Sequence, residues 1–237
     1  MGLFSKRTRA TISDDDDFTP PEPPPGVPGV DRDWDRAVDG PFDISEVRDK
    51  SARLDLGAIA IPAMEGMELQ VNLEEGTHRM TGATCIFLGH SMQVQAFAAP
   101  RSSGIWDDIR GEIVTAIQGS QGAVTEQSGV LGHELITRLP SRTSAGDVTY
   151  TPARFFGIDG PKWFLRAVLQ GPAARDEAQL APFAEFLRGI IVDRGDEPRP
   201  PRELLALTPP KVQAAPQSSS PEGSQSPDGP QSPDQSA

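Results

Sequence analysis

The chain has 237 residues, of which 24 are proline and 23 are glycine, and it carries a formal charge of −12 at pH 7. Proline and glycine make up about a fifth of the chain, against roughly 12% in an average protein. No apolar run approaches the roughly 18 residues of a membrane span, and aspartates follow the basic N-terminus where a secretory signal needs an apolar segment. We therefore expect a soluble, cytoplasmic protein without an integral membrane segment, and the acidic balance argues against nucleic acid as a partner.

The prolines concentrate at the two ends of the chain. Residues 1–50 contain seven, residues 194–237 contain ten, and the residues between them contain seven. Both ends also have few apolar residues to offset the entropy of ordering them. The sequence therefore predicts a disordered acidic, proline-rich tail over 1–39, a single folded domain over 40–205, and a disordered serine- and proline-rich tail over 206–237. Residues 31–50 are a polar lead-in with two candidate anchors, Trp34 and Phe42.

Apolar and polar residues alternate along the first part of the predicted domain, which is typical of β-strands. Strands are predicted near 54–61, 67–74, 83–88 and 92–96. A three-residue turn separates the last two of these strands, so they are expected to form an antiparallel hairpin.

The repeat then changes to a helical one. Isoleucines recur every four residues from 105 to 117, which predicts a helix over 104–118. Ser103 is the predicted N-terminal cap, and Asp107 and Asp108 suit the first turn of a helix, where the helix dipole favours negative charge.

Alternation resumes after this helix. Further strands are predicted near 122–127, 131–139, 148–157, 163–170 and 190–192, and a second helix over 176–188. An Asp-Gly pair at 159–160 predicts a hairpin turn between two of these strands. The predicted fold class is therefore α+β: a mostly antiparallel sheet of about eight short strands with two main helices packed on it, flanked by disordered tails.

Few residues offer metal-binding or nucleophilic chemistry. No two of His78, His90 and His133 have the i, i+4 spacing of a zinc-protease helix, so surface or interface histidines are favoured over a shared site. Cys85 lies in an apolar run without a basic neighbour, which favours a buried small residue over a nucleophile. The sequence therefore predicts neither a metal site nor a cofactor, and it identifies no catalytic residues.

The segment 155–166 has the densest cluster of aromatic and charged residues. Candidate contacts to a ligand or partner are Phe156, Asp159, Lys162, Trp163 and Arg166. The alternative, which we favour, is that the aromatic residues pair across a hairpin and fill the core. Arg166 differs from the rest because it alternates with apolar residues on one face of its strand. This predicts a half-buried guanidinium that needs an acidic partner.

Five short segments carry a resemblance to a known family. They are GIWDDIRGE from Gly104, GVLGHEL from Gly129, GIDGPKWFLR from Gly157, GPFD from Gly40 and IVDRG from Ile191. In these segments the chain resembles an actinobacterial family, the domain of unknown function family 3710 (DUF3710), over about 40–205. The resemblance implies a bacterial, cytoplasmic protein of unassigned activity, and it supplies no catalytic residues.

Three functions are compatible with these features. The leading hypothesis is a non-enzymatic binding or adaptor module, whose protein partner contacts the 155–166 hairpin or the tails. The second is an enzyme whose acid–base groups converge only in three dimensions, with Glu126, Glu134 and Arg166 as its first candidates. The third is weak association with nucleic acid through a local basic face.

Overall fold

The structure is a computed structural model that describes residues 34–48, 50, 52–101, 104–142, 144 and 146–210. The predicted tails lie mostly outside these residues, but their inner ends take part in the fold. The Trp34 side chain packs on the main core, as an anchor should, and its Nε1 donates a hydrogen bond of 3.0 Å to the Gly40 carbonyl. At the other end Leu207 is buried. The fold therefore extends past both predicted boundaries.

Three α-helices and eleven β-strands form in the described residues. The helices are α1 (Arg36–Asp39), α2 (Trp106–Gly119) and α3 (Glu177–Arg188), and short 3-10 helices cover Ile44–Glu46 and Pro172–Ala174. The strands are β1 (Phe42–Asp43), β2 (Arg53–Asp55), β3 (Ile59–Pro62), β4 (Glu68–Leu73), β5 (Met80–Phe87), β6 (His90–Ala98), β7 (Ala123–Gly129), β8 (Gly132–Arg142), β9 (Val148–Gly160), β10 (Trp163–Gln170) and β11 (Ile191–Val192). Within this part of the chain, no helix has the length and apolar character needed to cross a membrane.

The strands form two sheets. The larger is antiparallel and has seven strands in the order β4-β5-β6-β10-β9-β8-β7, and the smaller has the order β1-β11-β3-β2. The smaller sheet is mixed, because β1 and β11 pair in parallel, with Phe42 opposite Ile191. The α+β class and the mostly antiparallel pairing are confirmed. The single strand predicted near 54–61 is instead two short strands, β2 and β3, which pair antiparallel in the smaller sheet. The sequence does not predict this sheet, because its strands have two to four residues and some of their partners lie far away along the chain.

Apolar cores cover both faces of the larger sheet, but the core on one face is larger than the core on the other. On the central strand β10, Trp163 and Leu165 belong to the main core together with α3 and the smaller sheet, and we call this side of the sheet the inner face. Phe164 points the other way, into a second core that it shares with Trp106 of α2, and we call this side the outer face. The two main helices therefore pack on opposite faces of one sheet.

Both predicted helices form, within two residues of their predicted starts. Helix α2 begins at Trp106, and its isoleucine stripe packs on the outer face. Helix α3 begins at Glu177, where the Asp176 carboxylate accepts a hydrogen bond of 3.0 Å from the Ala178 N–H. The apolar repeat therefore predicts the helices because each buries a single stripe.

The predicted hairpin between β9 and β10 forms, but its turn lies two residues later than predicted. Strand β9 continues through Gly160, and the turn consists of Pro161 and Lys162. The space beside Gly160 is filled by the indole ring of Trp163, so a side chain at position 160 would collide with it. The Asp-Gly pair is therefore part of the strand, and glycine is needed there for packing.

Candidate functional site

Two of the five candidate residues of the 155–166 hairpin lie in the main core. Phe156 and Trp163 are 1% and 0% exposed, and both point to the inner face. The Trp163 Nε1 donates a hydrogen bond of 2.8 Å to the Asp43 carboxylate, which ties the hairpin to the smaller sheet. These two side chains stabilise the domain and are not accessible to a partner.

Asp159 binds the N-terminus of helix α2. Its carboxylate accepts hydrogen bonds from the backbone N–H groups of Ile105 (2.8 Å) and Trp106 (3.2 Å). A Cβ at Gly104 would collide with this carboxylate, so glycine permits the approach. Ser103, the predicted cap, lies outside the described residues, and the cap position is Ile105, which makes no side-chain capping bond. Asp159 thus acts as a cap from a distant strand.

Lys162 lies in the hairpin turn, at one end of β10. Its φ of 65° is in the left-handed region, and its carbonyl accepts a hydrogen bond of 2.8 Å from the Ala99 N–H. Four residues of extended strand separate it from Arg166, a distance of about 13 Å. Lys162 and Arg166 therefore do not form one cluster.

Arg166 is half-buried at the centre of the outer face. Its Nη2 donates a hydrogen bond to Oε1 of Gln95, which lies directly opposite on β6, and its guanidinium lies 5.6 Å from the centre of the Phe97 ring. Burial lowers the pKa of the guanidinium. In the described residues no carboxylate lies within 4 Å of it, so the expected acidic partner is replaced by an amide.

Arg166 belongs to a group of polar side chains on the outer face. Strand register places Asn72 of β4, Thr84 of β5, Gln93 and Gln95 of β6, and Arg166 of β10 on this side of the sheet. We call these five residues the amide face. Helix α2 packs mainly on β7 and β9, at the other end of the sheet. The amide face therefore remains half-exposed, without a helix over it in the described part of the chain.

The amide face is held in place by its own hydrogen bonds. The Thr84 hydroxyl donates to Asn72 Oδ1 at 3.1 Å, and the Gln95 Nε2 donates to the Thr81 carbonyl at 3.1 Å. Gly82 makes room for both side chains, because a Cβ there would lie 2.8 Å from Gln95 Cγ and 3.3 Å from Asn72 Oδ1. The geometry of Gln95, and through it that of Arg166, is thus fixed by hydrogen bonds within the domain.

The three residues considered for an enzyme do not converge. Glu134 pairs with Phe156 and points to the inner face, whereas Arg166 points to the outer face. Glu126 is exposed and forms an ion pair of 2.8 Å with Arg110 of α2. Successive residues of a strand point to opposite faces, so the sheet itself separates Glu134 from Arg166.

A buried ion cluster accounts for Glu134. Arg154, which is fully buried, donates hydrogen bonds to Glu134 and, at 2.7 Å, to Glu177 at the start of α3. Burial lowers the pKa of Arg154, but the hydrogen bonds and charges of the two carboxylates raise it above its ordinary value. Arg154 is not among the candidate residues predicted from the sequence. The available signal is an arginine that alternates with Phe156 and Ile158 on the buried face of a predicted strand.

The histidines and the cysteine do not form a site with one another. His78 and His133 are exposed, and the His90 ring contacts the edge of Phe183, with ring centres 5.6 Å apart. Cys85 is fully buried, as expected, and burial raises the pKa of its thiol to about 12. In the described residues no group of three or more histidine, cysteine, aspartate or glutamate side chains is placed to hold a metal ion.

Comparisons with known proteins identify the family of this chain. No curated protein matches it. A crystal structure from Bacteroides thetaiotaomicron VPI-5482 is similar at 12% identity and a TM-score of 0.36, and the match covers 63% of this chain and 51% of that chain. This chain thus spans about half the length of that one, and a likeness at this TM-score supports no conclusion. The model of the family described as "Protein of unknown function (DUF3710)" matches residues 40–216, more than half of the sequence. The chain therefore belongs to the DUF3710 family.

Proposed function

We propose that this chain is a binding module without catalytic activity of its own, and that a protein partner docks on the amide face. The observation that carries the proposal is the open polar half of the outer face, next to the half that α2 covers. Antiparallel sheets commonly leave a polar face in water, and this half of the sheet is therefore accessible to a layer of structure from a partner. A partner that supplies this layer would meet side chains that are already ordered.

The chemistry of the amide face suits binding better than catalysis. Amide side chains neither give nor take protons near neutral pH, and an arginine stays protonated. The five residues include no histidine, cysteine or carboxylate. Strand register also places Glu68 of β4 on this side of the sheet, but it is exposed, accepts a hydrogen bond of 2.9 Å from Gln70, and lies three strands away from Arg166. General acid–base catalysis therefore has no group to use next to Arg166. Hydrogen-bond donors and acceptors in fixed positions support recognition instead.

The charge of the chain favours a protein partner over nucleic acid. The net charge is −12, and Arg166 is the one cation among the five residues of the amide face. Binding driven by phosphate contacts needs several cations on one surface. Amides, in contrast, pair readily with the main-chain groups of a protein partner.

We also propose a cellular location for the protein and a tethering role for its flanking segments. The family resemblance implies the bacterial cytoplasm. The flanking segments outside 34–210 would tether the module, and Ser-Pro pairs at 220, 226 and 232 would offer sites for phosphorylation or partner binding.

Photo-crosslinking with the full chain tests the proposal. A photoreactive residue replaces Gln93 on the amide face, and the matched control replaces Gln118, which is exposed on α2. We expect a discrete crosslinked protein from position 93 and none from position 118. Adding Thr84→Tyr, directly opposite position 93, should abolish the product because the ring covers the floor of the face. Equal labelling from both positions, or labelling that survives Thr84→Tyr, contradicts the proposal.

A further inference from the structure

We infer that Arg166 receives a carboxylate from the partner, and that the partner presents this carboxylate on an extended segment lying along the amide face. This inference rests on the function proposed above. It adds the chemical class of the segment that docks there.

The charge of Arg166 lacks the compensation that Arg154 and Arg110 have. Arg154 contacts two carboxylates, and Arg110 contacts Asp107 and Glu126, each at 2.8 Å. Among the described residues, Arg166 contacts the amide oxygen of Gln95 and the face of a phenylalanine ring, and no carboxylate. A half-buried cation without an anion is costly, and an incoming carboxylate would remove that cost.

The guanidinium also has unused hydrogen-bonding capacity. An arginine has five N–H groups, and one of those of Arg166 donates to Gln95. The Nε is buried without an acceptor in the described residues, so the remaining capacity lies at the two terminal nitrogens. A carboxylate can accept two parallel hydrogen bonds from an arginine and also neutralise its charge. A neutral amide cannot neutralise the charge.

The neighbours of Arg166 favour an extended segment over a small anion. Gln93 and Gln95 are two residues apart on β6, which corresponds to about 7 Å, the spacing of alternate residues in an extended peptide. No hydrogen bond from the Gln93 amide is present within the described residues, and Val168 directly opposite it is buried. The face therefore offers one cation, one open amide and a small apolar floor in a row.

A pair of peptides tests this inference on the full chain. The probe is a fluorescein-labelled octapeptide of alternating threonine and glutamine in which one central glutamine is replaced by glutamate, and its control keeps glutamine at that position. Fluorescence anisotropy measures binding, and the side-chain amide signals of Gln93 and Gln95 in a nitrogen–proton NMR spectrum report its location. We expect the glutamate peptide to bind at least tenfold more tightly than the control and to shift both amide signals.

Substitutions complete the test. Arg166→Gln should weaken binding of the glutamate peptide at least tenfold, and Arg166→Lys should weaken it less because the charge remains. Arg110→Gln, the matched control, should change binding less than twofold, since Arg110 already has two carboxylates. Circular dichroism verifies that each variant folds.

Three outcomes overturn the inference. They are equal binding of the two peptides, unchanged binding by Arg166→Gln, and displacement of the peptide by inorganic phosphate at equal concentration, which would indicate a phosphate site. The crosslinking result distinguishes a failure of the proposed binding function from a failure of the carboxylate inference. If position 93 still captures a partner while the peptide test fails, the binding module stands and the carboxylate assignment falls.

Discussion

Asp159 caps a helix whose first residues lie more than 50 positions earlier in the chain. The first turn of any helix has N–H groups without intrahelical acceptors, and α2 begins without a capping side chain of its own. The β9–β10 hairpin supplies the missing acceptor. The joint between α2 and the larger sheet therefore consists of a polar contact at the helix start and an apolar stripe along the helix.

Because Asp159 caps α2, substituting it should destabilise the protein even though it lies outside that helix. Asp159→Ala should lower the free energy of unfolding by about 1–2 kcal/mol, the usual loss for a helix cap. Asp159→Asn should cost less, because the amide oxygen still accepts. Asp107→Ala is the control: Asp107 lies in the same first turn but is 84% exposed, so its loss should stay within about 0.5 kcal/mol. Urea denaturation followed by circular dichroism measures all three, and an equal loss for Asp107→Ala would contradict the cap.

The sequence predicts whether a single residue is buried better than it predicts which residues that residue contacts. Alternation along the strand correctly predicts that Arg166 is half-buried, because burial on a strand follows from period two. It does not predict that Gln95 replaces an acidic partner, since that depends on which strand pairs with β10. The part played by Asp159 is hidden for the same reason: the helix that it caps is distant in sequence.

At the scale of elements, the ion cluster around Arg154 joins two strands to a helix. Arg154 lies on β9, Glu134 on β8 and Glu177 at the start of α3. The Gln127 amide on β7 donates a further hydrogen bond of 2.9 Å to Glu134. A Cβ at Gly129 would collide with the Glu134 carboxylate, so the glycine gives that side chain its place. Strand order and helix position are thus coupled by charge as well as by packing.

The cluster predicts a non-additive pair of substitutions. Arg154→Met should destabilise the protein by about 3–5 kcal/mol, because it leaves the Glu134 carboxylate buried without a counter-charge. Adding Glu134→Leu should recover most of that loss, since an apolar pair of similar volume needs no compensation. Free energies of unfolding in urea give the comparison. A double variant as unstable as Arg154→Met alone would show that the arginine stabilises by some other means.

Elements with a local pattern are predictable, and those defined by distant pairing are not. Helices α2 and α3 follow from apolar residues at helical spacing. Strand β1 has two residues and pairs with β11 almost 150 residues later, so no local signal marks it as a sheet edge. Likewise, no local signal indicates that α2 and α3 pack on opposite faces. The open amide face follows from the position of α2 over β7 and β9, which the sequence does not indicate.

At the scale of the whole molecule, the segment 202–208 connects both sheets. The Leu205 N–H donates to the Ala96 carbonyl on β6 and the Leu207 N–H to the Met80 carbonyl on β5, both at 2.9 Å. The Thr208 N–H then donates to the Leu56 carbonyl, between β2 and β3, at 2.8 Å. The segment therefore links the two sheets by hydrogen bonds, and truncation of the chain after residue 205 would remove those made by Leu207 and Thr208.

The position of segment 202–208 predicts that substitutions of two neighbouring leucines differ in their effect on stability. Leu205→Ala should lower the free energy of unfolding by about 2–4 kcal/mol, because Leu205 is buried in the main core. Leu204→Ala should cost about 1 kcal/mol or less, since Leu204 is half-buried. Urea denaturation of the full chain measures both. Similar small losses would mean that the segment is not part of the cooperative unit.

The two-sided arrangement of strand β6 affects how this family can diversify. Met92, Val94 and Ala96 face the main core, while Gln93 and Gln95 between them face outwards. Position 95 is constrained as well, because Gln95 donates to the Thr81 carbonyl and accepts from Arg166. Position 93 differs, since no hydrogen bond from Gln93 is present within the described residues. On the function proposed above, a library randomised at position 93 would therefore alter recognition while leaving the packing of the strand unchanged.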